Sequence, residues 1–84
     1  MEMNIRSGDR EYLEYLIDKI MEPEYWSHGI LNSEGRTLLN LIARILSSYH
    51  SELRRIIAKV RRNPTYENVS KLVEMIREII SSTD

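Results

Sequence analysis

From Arg36 to Asn63 the chain carries neither glycine nor proline. Nothing in that stretch forces the backbone to turn, so its pattern of side chains decides what it becomes. Leu38, Leu39, Leu41, Ile42, Ile45, Leu46, Tyr49, Leu53, Ile56, Ile57 and Val60 fill an arc of about 160° on a helical wheel. That periodicity predicts one helix over 34–62, with Ser33 as its N-cap and Asn63-Pro64 as its stop. Unbroken, it would run about 43 Å. Its continuity near Ser47-Ser48 is left open. An arc so wide needs two neighbouring helices, or one helix and a partner.

Two shorter segments supply those neighbours. Leu13, Leu16, Ile17, Ile20 and Met21 form a single stripe, predicting a helix over 9–22. Asp9 or Ser7 can cap it, and Pro23 ends it. Val69, Leu72, Val73, Ile76, Ile79 and Ile80 predict a third helix over 66–81. Thr65 is its expected cap, and Glu67 and Lys71 form an i, i+4 pair. Strands are not expected, because no segment sustains alternation. The connector from Pro23 to Asn32 is rich in apolar and aromatic residues for a loop, with room for a helical turn over 24–27. Its Trp26, Ile30 and Leu31 are expected to fold back onto the helices. The predicted fold is all-α: a small antiparallel three-helix bundle with a long central helix, forming one helical domain over residues 1–84.

Leu16, Ile20, Ile42, Ile45, Leu53, Ile56, Leu72 and Ile76 lie near the centres of these stripes and are the expected core. Replacing Ile45 or Ile56 with Ala is expected to cost about 2–5 kcal/mol. The flanking helices are too short to cover the central one. Trp26, Ile30, Leu31 and Leu39 are therefore the candidate apolar interface, a patch left for a protein partner or for self-association.

Several kinds of chemistry have no foothold. There is no cysteine, which removes disulfides, thiolate metal sites and thiol nucleophiles. His28 and His50 lack the spacing and partners of a metal or acid–base site. Glu11, Glu14, Asp18 and Glu22 share one face of the first helix, but no matching carboxylates are expected from the other helices. That face is read as solvated, or as an electrostatic docking face. Ser47, Ser48, Ser81 and Ser82 have no evident base or oxyanion hole. No glycine-rich phosphate loop occurs. The chain is expected to be no enzyme, with no cofactor, no metal and no small-molecule substrate.

No apolar run approaches the roughly 18–20 residues of a membrane span. The segment Met1-Glu2-Met3-Asn4 has no basic region followed by an apolar core, as a signal peptide would. A cytoplasmic location is expected. No membrane partner is expected either, since the apolar arc of the central helix is needed for the core. The 11 Ile, nine Arg and ten Glu, with no Gln or Cys, suit a thermophilic source.

Charge is distributed unevenly. The formal net charge is −1, yet residues 36–62 carry seven basic residues, Arg36, Arg44, Arg54, Arg55, Lys59, Arg61 and Arg62, against one acid, Glu52. Residues 1–35 carry three basic and eight acidic residues. On one continuous helix, Arg36, Arg54 and Arg61 would form one rail. Arg44, Arg55 and Arg62 would form the other, with Lys59 beyond it. Asn40, Ser47, Ser51 and Ala58, all small, would lie between. Arg44, Arg54, Arg55, Lys59, Arg61 and Arg62 are the candidate basic binding face.

Three readings fit this face. It can be a solvated helix surface. It can dock an acidic protein, with the small residues admitting a helix closely. It can straddle phosphates, which arginine recognises well. The glycine-turned helix pair of a helix-turn-helix is missing, and the aromatics are not interleaved with the arginines as in a single-strand stacking platform. The expected function is a non-enzymatic interaction module acting as an accessory or adaptor subunit, with direct nucleic-acid binding as the alternative. In composition the chain resembles small helical accessory proteins of archaeal information-processing complexes, polymerase-associated subunits among them. That resemblance implies a place in such a complex.

Overall fold

A computed structural model describes residues 5–82. They form four helices and one short hairpin: α1 (Ser7–Ile20), β1 (Trp26–Ser27), β2 (Ile30–Leu31), α2 (Ser33–Tyr49), α3 (Arg54–Arg62) and α4 (Tyr66–Ser81). Single turns of 3-10 helix occupy Pro23–Tyr25 and Ser51–Leu53. The all-helical expectation holds in outline, but the three-helix bundle and its long central helix do not. The predicted 34–62 helix is broken at His50, whose backbone leaves the helical region at φ −139° and ψ 89°.

The break has local causes. The sequence Ser47-Ser48-Tyr49-His50-Ser51 contains no strong helix former, and serine side chains compete for backbone partners. Ser48 Oγ donates to the Ile45 carbonyl at 2.8 Å. Leu53 N–H turns back to the His50 carbonyl at 3.1 Å. His50 Nδ1 lies 2.5 Å from Glu52 Oε2, fixing the two ends of the turn. Tyr49 hydroxyl donates to Asp9 and accepts from the Arg6 N–H, tying the end of α2 to the start of α1.

There is also a global cause. The longest dimension of the molecule is 37 Å, shorter than the roughly 43 Å an unbroken 29-residue helix would span. Folding back lets α3 contact α2 and α4, while α1 packs on α2 and α4. The wide apolar arc is thereby divided between two helices that cover one another. Leu39, Ile42, Ala43 and Leu46 of α2 are buried, as are Ile57 and Val60 of α3. With Leu13, Leu16, Ile17, Ile20, Val69, Leu72, Val73, Ile76 and Ile80 they belong to one core cluster.

Five of the eight expected core residues are buried: Leu16, Ile20, Ile42, Leu72 and Ile76. Ile45 and Leu53 are only half-buried. Ile56 is 39% exposed, because a helical phase carried across the break points it the wrong way.

The ends of the helices differ in detail. Asn32, not Ser33, caps α2, accepting from Gly35 N–H at 2.9 Å. Thr65 caps α4 as expected, accepting from Asn68 N–H at 3.2 Å. Neither Asp9 nor Ser7 caps α1, whose N-cap position is Arg6 with no side-chain bond. The connector holds a hairpin that periodicity alone does not reveal. Trp26 pairs with Leu31 and Ser27 with Ile30. The turn residues His28 and Gly29 have φ of 56° and 80°, as a two-residue type I′ turn demands. The hairpin in turn clasps the α3–α4 corner: Leu31 N–H donates to the Pro64 carbonyl at 3.1 Å, and Tyr66 N–H to the Gly29 carbonyl at 2.9 Å.

Candidate nucleic-acid interface

Because α3 folds back along α2, the basic residues are no longer two rails on one rod. Arg36 and Asn40 of α2 line a groove with Ala58, Arg61 and Arg62 of α3. An adjoining depression is lined by Asn40, Ala43, Arg44 and Ser47 with the same Arg61. Four arginines from two helices thus border Asn40, Ala43, Ser47 and Ala58, with Leu39 also lining the first depression, and no acid lines either one. Of the six candidate basic residues, Arg44, Arg61 and Arg62 are brought together here. Arg54, Arg55 and Lys59 do not line the groove and stand exposed along α3. Arg36 belongs to the groove although it is not among those six. Its signal in the sequence was its i, i+4, i+8 register with Asn40 and Arg44.

Electrostatically the face is uncompensated. Among the described residues, none of Arg36, Arg44, Arg54, Arg55, Lys59, Arg61 and Arg62 lies within ion-pair distance of a carboxylate; the ion pairs are elsewhere. α3 opens with Arg54 and Arg55, has no acid in its first turn, and no side chain caps it. Positive charge at the positive end of a helix dipole is unfavourable. Glu52, two residues before α3, pairs with His50. Its carboxyl is held below the usual glutamate range by a hydrogen bond from its own backbone N–H and by His50.

The acidic face of α1 behaves differently. Glu11, Glu14 and Asp18 line a depression with Arg10 and Arg77, and Arg77 reaches Asp18 at 2.7 Å. This face is partly neutralised within the molecule. Glu22 is not among the residues that line it. Among the described residues no three His, Asp or Glu side chains are grouped as metal ligands would be. His28 occupies the hairpin turn beside Ser27 Oγ, at 3.2 Å.

Two of the four residues of the candidate apolar interface are buried and two are not. Leu31 and Leu39 are each 2% exposed and belong to the core cluster. Trp26 is half-buried; its indole N–H donates to the Ile20 carbonyl at 2.9 Å, and its ring meets Tyr66 edge-on. Ile30, at 41%, stays exposed. A separate aromatic feature lies on α1, where Tyr12 and Tyr15 stack and Lys19 sits over the rings of Tyr15 and Tyr25. The polar groups of Tyr25 and Tyr15 beside the ammonium raise the Lys19 pKa.

Among the described residues, no helix is long and apolar enough to cross a membrane. Compared with protein families, curated proteins and solved structures, the chain matches none.

Proposed function

We propose that the chain is a non-enzymatic binding module whose ligand is nucleic acid, held by its phosphates on the α2–α3 face. One observation carries the reading: Arg36, Arg44, Arg61 and Arg62 come from two helices to line two adjoining depressions, and no described carboxylate pairs with them. Guanidinium groups left unpaired in this way suit the tetrahedral oxygens of phosphate. The two depressions loosen the expected order of alternatives. Folding back strengthens the basic face and buries half of the apolar patch on which a protein interface was to rest.

The test is to measure binding of labelled duplex and single-stranded oligonucleotides at two salt concentrations. Affinity should fall by orders of magnitude between about 50 and 200 mM salt, because each neutralised phosphate releases condensed counterion. Arg44→Glu with Arg61→Glu should weaken binding uniformly across sequences, since phosphate contacts position without specifying. Absence of any affinity at about 50 mM salt, where electrostatic binding is strongest, would end this reading.

A second reading is favoured by the groove floor. Asn40, Ala43, Ser47 and Ala58 are small enough to admit a helix between the arginines. An acidic helix of a protein partner would then dock there, and the chain would serve as an accessory or adaptor subunit, with an archaeal information-processing complex as one setting. Capture of a defined acidic partner that survives nuclease, and is lost on the same double reversal, would favour it. Self-association through Trp26 and Ile30 would show as concentration-dependent sedimentation that the reversal leaves unchanged.

A further inference from the structure

Charge is sorted between two sides of the bundle. α1 packs on α4, and α2 packs on α3. The α1–α4 pair carries seven acidic and four basic side chains, and the α2–α3 pair carries seven basic and one acidic. α1 and α3 each pack on both α2 and α4, so they lie diagonally across the bundle and their solvent faces point apart. Ile57 and Val60 of α3 are buried. Arg55 and Arg62 lie opposite them on the helical wheel, at the crest of α3, and both are exposed. Neither has an ion-pair partner among the described residues. On the other side, a depression between α1 and α4 is lined by Glu11, Glu14 and Asp18, with Arg10 and Arg77. Arg77 pairs with Asp18, but Glu11 and Glu14 have no ion-pair partner among the described residues.

We propose that this chain docks head-to-tail on copies of itself, the α3 crest of one copy lying on the α1–α4 depression of the next. The convex element is basic and the concave one holds three carboxylates. Guanidinium and carboxylate groups left unpaired within one molecule thus find partners between molecules. The spacing matches as well. Arg55 and Arg62 are seven residues apart, as are Glu11 and Asp18, which is about 10.5 Å along a helix. Two helices laid side by side therefore bring both charges of one crest to both of the other. Because the two surfaces differ and face apart, the contact is heterologous and adds copies end on end instead of closing a dimer. Exposed ion pairs contribute little each, so the association belongs near about 0.1 mM. Only charge and placement within this chain enter the proposal, which stands apart from the nucleic-acid reading. Arg62 also lines an α2–α3 depression, so a neighbouring copy and a nucleic acid would compete for it.

Sedimentation equilibrium of the nuclease-treated full chain tests this. At about 10 mM salt, where charges act over about 30 Å, the average mass should rise about twofold or more between about 10 μM and 1 mM protein. At about 1 M salt, where the range falls to about 3 Å, the chain should be a monomer. Glu11→Gln with Glu14→Gln and Asp18→Asn removes one surface, and Arg55→Gln with Arg62→Gln removes the other. Each variant alone should stay monomeric at low salt, and an equimolar mixture should form one-to-one dimers that grow no further. All five positions are exposed, and Ala replaces the amide in any variant whose helical circular dichroism falls. A wild type that is monomeric at about 10 mM salt, where screening is weakest, would overturn the proposal. So would assembly that persists at about 1 M salt, which charge cannot hold. A variant that still dimerises alone would show a symmetric contact elsewhere, and a mixture that stays monomeric would show that the two surfaces do not meet; either result also overturns it.

Discussion

Arg54 and Arg55 open α3 with their charges set against the helix dipole, in a first turn without acid or cap. An arrangement that costs stability and is not relieved by a neighbour suits a residue kept for a ligand. Arg54→Glu should therefore raise the melting temperature by a few degrees while weakening any binding of nucleic acid through α3. Thermal melts and binding on the same sample check both halves, and a variant that melts lower contradicts the account of α3. Two residues upstream, the depressed Glu52 carboxyl has a different consequence. A carboxyl with a lowered folded-state pKa stabilises the fold above its unfolded value, and that contribution is lost as pH falls through the folded value. The turn between α2 and α3 should loosen as pH drops below about 4.5, the ordinary glutamate value. Amide protection factors at 51–54 should fall there, and Glu52→Gln should be less protected than wild type at neutral pH with little further loss of protection in acid.

Two elements show why helical periodicity describes faces better than boundaries. α2 and α3 share one apolar pattern, yet the turn between them shifts its phase, so Ile57 faces the core and Ile56 does not. Ile57→Ala should cost about 2–5 kcal/mol, and Ile56→Ala less than about 1 kcal/mol; chemical denaturation separates them. The stripes of α1 and α4 are legible because each is short and meets the core once. The break is not, because it depends on a serine-rich run of weak propensity and on Tyr49 finding Asp9 forty residues away. The same limit hid the groove. Clustering of arginines can be read from residues 36–62, but their convergence depends on where the chain folds back. The hairpin did leave a trace, His28-Gly29, a pair suited to positive φ. Gly35, in the first turn of α2, sits hard against the connector. A Cβ there would meet Leu31 Cδ2 at 2.6 Å and the Tyr25 carbonyl oxygen at 2.8 Å. Alanine is the better helix former by about 1 kcal/mol, but Gly35→Ala should still destabilise by about 1–3 kcal/mol, since a backbone carbonyl cannot step aside. A neutral or stabilising result would mean that the hairpin sits more loosely on α2.

At the scale of the whole molecule, one core cluster draws residues from all four helices and from the hairpin. Such a body should unfold as a unit. Trp26, the single tryptophan of the chain, makes that testable without a label. It lies in the hairpin, bonded to the Ile20 carbonyl and edge-on to Tyr66, so it touches the end of α1 and the start of α4 together. Its emission is an optical gauge of whether the clasp over the α3–α4 corner is closed, whereas circular dichroism counts helix wherever it lies. Coincident melting by the two signals would show that the corner opens only when the core does. Emission that shifts red first would reveal a clasp that springs open while the helices persist, and would make this indole a sensor of strain at the corner through which α3 is held.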